Sequence, residues 1–162
     1  MQDGIILSCK IGEKKYDKDY NMGSRGQALK SGGFTEYKYH TIARYNNVRF
    51  VVQNDNWNKH YKLTEMSNSP WAIYAEADSD GKLRTITFYN GSRKKFKEVD
   101  LDKPHKGLSP HIHECDPKTS LRFTGKEPRP LTEKEKNKVN KIIDFYNKHE
   151  LSKYAKNGGK MK

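Results

Sequence analysis

Turn-forming residues recur along the middle of this chain at strand-length intervals, and that spacing limits the fold more than any other feature. Asn46-Asn47, Asp78-Ser79-Asp80-Gly81 and Asn90-Gly91 are combinations that favour tight reversals. They separate runs rich in β-branched and aromatic residues at 37–44, 48–52, 71–77, 83–89 and 93–101. In the first run Tyr37, Tyr39, Thr41 and Ala43 alternate with Lys38, His40, Ile42 and Arg44, the period of a strand with one aromatic and one mixed face. Asn46-Asn47 then closes a hairpin. Asn90-Gly91 suits a two-residue type I′ turn, so the last three runs read as a meander whose end delivers Asp100 into the next segment. Shorter strands are expected at 5–11 and 61–63.

The C-terminal part reads as a helix. Thr132 followed by Glu135 is a capping box, and Glu133 and Glu135 suit the positive end of the helix dipole. Val139, Ile142, Ile143 and Tyr146 recur at three- and four-residue spacing and form one apolar stripe, with Lys134, Lys136, Lys138 and Lys141 mostly on the other side. The pattern predicts an α+β fold: an antiparallel, meander-containing sheet of about five or six strands with a C-terminal helix packed on one face. At 162 residues the chain suits a single domain. Its parts are a glycine-rich N-terminal region over about 1–33, a sheet over 34–101, a Pro/His-rich site loop over 102–130, a helix over 131–149 and a basic flexible tail over 150–162. In the first part Gly23, Gly26, Gly32 and Gly33 surround Ser24 and Arg25, but their spacing matches no phosphate-binding fingerprint and reads as a plain connection.

The site loop concentrates chemistry. Between Val99 and Arg122 lie His105, His111, His113, Cys115, Asp100, Asp102 and Glu114, among Pro104, Pro110 and Pro117. The prolines stiffen an irregular approach and disfavour helix or central strand. In an extended chain residues two apart share a face, so His111, His113 and Cys115 line up together while Ile112 turns away. Imidazoles gathered here, with His105 folding back, can divide proton removal and donation near neutral pH. The alternative is a metal site using His111, His113 and Cys115, since imidazole and thiolate are zinc ligands. The same residues can also simply fasten a proline-rich loop to a sheet.

Composition says what such a site would meet. Hydrophobic residues make up 33% and charged residues 32%, and the formal net charge of +12 favours a polyanionic partner, nucleic acid first. No amphipathic basic helix with a strong apolar face and no apolar run of transmembrane length occurs, so a membrane is not expected as a partner. The apolar stretch after Gly4 is too short and lacks a basic leader for a secretory signal, and two cysteines define no disulfide framework. Action in a cytoplasm is expected, with any export by a non-classical route.

The run T-I-T-F-Y-N-G-S-R-K-K-F-K-E-V-D-L, then H-K-G-L-S-P-H-I-H, then R-P-L-T and a charged helix resembles C-terminal domains of bacterial polymorphic toxins and their phage or mobile-element relatives. The likeness spans about 71–146. It implies a toxin-type nuclease and carries Asp100, His105, His111 and His113 over as catalytic positions, while Cys115 and the 114–130 connection have no clear counterpart. A metal-independent ribonuclease is the leading expectation: one histidine deprotonates the ribose 2′-hydroxyl, another protonates the leaving 5′-oxygen, and Lys103, Lys106 or Arg122 binds the phosphate. RNA is the favoured partner because it carries its own nucleophile. A cognate immunity protein would accompany a toxin. The alternatives are a nuclease using a divalent metal on the His-x-His pair, or a non-catalytic nucleic-acid-binding or virion-associated protein.

Overall fold

The computed structural model describes residues 5–7, 39–53, 66–67 and 69–156. Their strands are β1 (Ile5–Leu7), β2 (Tyr39–Tyr45), β3 (Val48–Gln53), β4 (Ile73–Ala77), β5 (Leu83–Tyr89), β6 (Lys95–Asp100) and β7 (His111–Glu114). They form one sheet in sequence order, and with the helices that follow they make the α+β fold the pattern predicts. The expected meander extends through four strands, β4 to β7. The sheet is not wholly antiparallel: β3 and β4 run parallel, Phe50 opposite Ala75. Parallel neighbours need a crossover of roughly a dozen residues or more, and the connection 54–72 is long enough to supply one. The glycine-rich region, the strand expected at 61–63 and the Gly158-Gly159 end lie outside the described residues.

Two turns show how local chemistry fixes register. Asn46 takes the left-handed conformation (φ 52°) that the β2–β3 hairpin requires. The β5–β6 turn is longer than the two-residue turn expected of Asn90-Gly91. Arg93 N–H donates to the Asn90 carbonyl at 2.9 Å, and the Asn90 side chain accepts from the amides of Ser92 and Lys94, both at 2.9 Å. Asn90 therefore organises the loop through its carboxamide, and Arg93 (φ 64°) is the left-handed residue.

The alternation of each strand sorts the sheet into two unlike faces. One carries Val48, Phe50, Val52, Ile73, Ala75, Ile86, Val99 and Ile112, all buried. Against it packs α1 (Glu133–Lys148), whose capping box forms as the sequence predicts. Val139, Ile142 and Tyr146 are buried as expected, but Phe145 is buried where Ile143 is only half-buried. Phe145 stacks on Tyr45 and Phe50 at ring separations of 4.5 and 5.5 Å. The opposite face holds a smaller apolar cluster of Tyr39, Val51, Tyr74 and Tyr89, and beside it the buried polar residues Thr41, Glu76, Thr87, Glu98, His111 and His113.

Two expectations are corrected. The segment after Glu150 is not a frayed tail as far as Lys156, because it forms a second helix, α2 (Leu151–Lys156), with Leu151 and Ala155 buried. The Pro/His-rich segment is not wholly loop, since β7 pairs along its length with β6. On its outer side Ile112 exchanges both backbone hydrogen bonds with Arg129, at 2.8 and 3.0 Å, and the Glu114 carbonyl accepts from Phe123 N–H at 3.2 Å. Among the described residues no helix is long and apolar enough to cross a membrane.

Candidate functional site: a histidine cluster at the sheet end

Pairing with β6 places two histidines over two carboxylates. His111 lies opposite Asp100 and His113 opposite Glu98, on the face away from α1. The third histidine comes from a small hairpin just upstream, in which His105 and Leu108 exchange backbone hydrogen bonds of 3.0 Å. Its turn residues Lys106 (φ 49°) and Gly107 (φ 79°) both have positive φ, the type I′ pattern. That hairpin folds the exposed His105 ring back to within 5.6 Å of His111 and 5.8 Å of His113, centroid to centroid.

One ring nitrogen from each of His105, His111 and His113 falls within 4.8 Å of the others. The tightest approach is 3.0 Å, between the Nε2 atoms of His111 and His113. His111 Nδ1–H donates to the Leu108 carbonyl at 3.2 Å, so in the neutral ring the lone pair sits on Nε2 and points into the cluster. Asp100 divides its two oxygens. Oδ1 accepts from the amides of Asp102 and Lys103 at 3.1 and 3.3 Å, which shapes the strand end, and Oδ2 stands 4.0 Å from His111 Nε2.

Both strand histidines are buried, because the segment expected as loop pairs with β6 as a strand. Burial, with the Arg122 guanidinium and His111 adding to it, pushes His113 down to about 4. A neutral imidazole is a good ligand and a poor proton donor near pH 7. Beneath His113 lies Glu98, a site residue that the sequence reading passed over. Burial alone would raise this carboxyl, but Lys95 Nζ at 3.0 Å and Arg122 Nε at 2.9 Å overcome that and hold it below its ordinary range. The signal was present, because Glu98 precedes Asp100 by two residues on an extended strand and so shares its face. A second missed carboxyl, Glu76, occupies the same cross-strand row as Thr85, Asp100 and His111. Burial pushes it up to about 8, with a hydrogen bond from Tyr39 pulling the other way.

The remaining expected residues divide. Arg122 reaches the cluster through Glu98, and Lys106 pairs instead with Glu127 at 2.8 Å. Lys103 is exposed at the strand end and has no ion pair among the described residues. Cys115 is buried and bridged to Arg122, and the grouping that can hold a metal takes His105 in its place. No protein-family model matches the chain, and no curated protein or solved structure matches it. The functional reading therefore rests on the residues themselves.

Proposed function

We propose that the chain is a metal-dependent nuclease whose centre is held by His105, His111 and His113. The observation that carries this is the convergence of three ring nitrogens within 4.8 Å, one of them aimed inward by the Leu108 carbonyl. With metal–nitrogen bonds of about 2.1 Å, ligands of one tetrahedral ion stand about 3.4 Å apart, so small side-chain adjustments bring the three to one point. A backbone acceptor on the far nitrogen is the usual way a ligating histidine is oriented. A divalent transition metal there would supply a Lewis acid and a water acidic enough to attack a phosphodiester near neutral pH. Asp100, whose Oδ2 stands 4.0 Å from His111 Nε2, would accept a hydrogen bond from a water at the centre, while Lys103 and Arg122 would offer positive charge to the phosphate. The net charge of +12 favours nucleic acid as the source of that phosphate.

One observation favours a second reading. The 3.0 Å contact between the Nε2 atoms of His111 and His113 is also what a pair sharing one proton would show, and such a pair can act as acid and base on RNA with no metal. Cleavage of labelled RNA and DNA before and after chelation separates the two. The metal reading expects stoichiometric cobalt binding with a visible absorption band, loss of that band in His111→Ala, and cleavage that chelator abolishes and added metal restores. Cleavage that survives chelator, lost in His111→Ala and His113→Ala, would replace it with the acid–base reading. A folded protein that neither binds metal nor cleaves would end both.

A further inference from the structure

Away from the histidines, Trp71 is held in an unusual way. The residue is 63% exposed although tryptophan is among the residues that gain most from burial. Its backbone is left-handed (φ 56°), a conformation that costs a bulky residue about 1–3 kcal/mol and persists only where the surroundings impose it. Three contacts impose it. Trp71 N–H donates to the Asn90 carbonyl at 3.0 Å, and the Trp71 carbonyl accepts from Asn47 Nδ2 at 2.7 Å. The indole rests against Gly91, where an added Cβ would come within 2.9 Å of Cζ2 and 3.1 Å of Nε1. A side chain at Gly91 would lift the ring from its seat. The surroundings are basic: Arg93 is exposed two residues beyond Gly91, Lys94 is next, and neither has an ion pair among the described residues.

We propose that Trp71 is a stacking platform for an unpaired base of single-stranded nucleic acid, with Arg93 and Lys94 engaging the adjoining phosphates. A rigid exposed ring flanked by cations is what sequence-tolerant single-strand binding uses, because every base presents a flat face. Membrane insertion would need an apolar surround, whereas Trp71 touches Asn47, Asn90 and Gly91, and the same turn goes on to the charged Arg93 and Lys94. The platform lies at the β4 start and the β5 end, whereas Asp100 pairs with Thr85 toward the other end of β5, on the order of 15–20 Å away along the strand, and His111 pairs with Asp100 from the far side. A strand of nucleic acid seated on Trp71 thus has length to reach the histidine cluster. This inference rests on the reading of the chain as acting on nucleic acid, and it adds where the substrate is held.

The test uses the full chain carrying Trp57→Phe, so that Trp71 is the one remaining tryptophan, in chelator so that nothing is cut. Oligothymidylate, which lacks the 2′-hydroxyl that metal-free cleavage needs, is titrated while indole emission and the anisotropy of a labelled oligonucleotide are followed. Quenching at saturation is expected. In the otherwise unchanged chain, affinity should fall about tenfold or more in Trp71→Ala and also in Gly91→Ala, which keeps the ring but displaces it, while Trp71→Tyr keeps most of it. Circular dichroism confirms that each variant is folded. Unchanged emission at saturation, parent-like affinity in Trp71→Ala, or equal quenching by heparin, which has no bases, would overturn the proposal. Quenching by a protein that neither binds cobalt nor cleaves would support the platform and remove the metal-dependent reaction. A metal-dependent nuclease whose Trp71→Ala variant binds like the parent would do the reverse.

Discussion

Replacing Glu76 by glutamine should abolish a stability loss that the parent suffers as pH rises. The carboxyl lies 3% exposed in the sheet, and its titration moves from the ordinary 4.5 to about 8 on folding. At about 1.4 kcal/mol per pH unit, ionising it in place costs at most about 5 kcal/mol, and the relaxation of a real interior brings the figure down to a few. The sign follows from which state releases its proton first. Below pH 4.5 both folded and unfolded chains hold the proton and there is no penalty. Between 4.5 and about 8 the unfolded chain loses it while the folded chain keeps it, so stability drains away through that window and levels off above it. Glutamine occupies the same space and cannot ionise. Urea unfolding of parent and Glu76→Gln from pH 5 to pH 9 measures this, and subtracting one curve from the other cancels the titrations they share. The variant should become more stable relative to the parent by a few kcal/mol as pH rises. A difference that stays constant across the range would refute the argument and imply that water or a cation reaches the carboxylate.

Truncating Leu151 to alanine should cost about 2–5 kcal/mol in the same assay, because the side chain is fully buried in the main core. A cost under about 0.5 kcal/mol, the range of surface changes, would return 151–156 to the status of a loose tail. Glu135 accepts from Arg129 at 2.9 Å, from the Thr132 amide at 2.9 Å and from Lys97 at 3.1 Å, and the Arg129 bond foremost holds it well below the usual carboxylate range. Its contribution is complete above the unfolded value near 4.5 and is lost as pH falls toward the folded one. Glu135→Gln should therefore destabilise at pH 7 by about 1–3 kcal/mol and progressively less in acid, and a deficit independent of pH would contradict the charge-based account.

What the sequence could show depended on how far apart in the chain the partners lie. Turn residues and two-residue alternation act locally, so the strands around Asn46 and Asp78 and the shared face of His111 and His113 were all legible. The capping box of Thr132 was legible for the same reason. At the β5–β6 turn the dipeptide Asn90-Gly91 marked the place but not the conformation, because the Asn90 side chain outcompetes the two-residue turn by capping two amides at once. The short helix after Glu150 was hidden because its apolar content, Leu151 with Ala155 one turn on, is thin among lysines. Its burial comes from packing against β2 and α1 and not from itself. His105 joins the cluster through the Lys106-Gly107 turn, a weaker signal than Asn-Gly. Glu76 had no local signal, since a carboxyl within a strand looks solvent-facing until Val51 on one side and Thr85 on the other are known to flank it.

The backbone contacts along the outer side of β7 decide how this protein behaves in company. A terminal strand with free amides and carbonyls is an invitation to a strand from another molecule, and it is the usual starting point of sheet-to-sheet aggregation and of peptide capture by strand addition. Here Ile112 has already spent both of its outward groups on Arg129, and Glu114 has given its carbonyl to Phe123. A foreign strand would have to displace the chain's own return segment before it could pair. Among the described residues, the histidine-bearing end of the sheet is thus guarded along its edge by the chain's own return segment, so the candidate site can sit on the last strand of a sheet without making that strand adhesive.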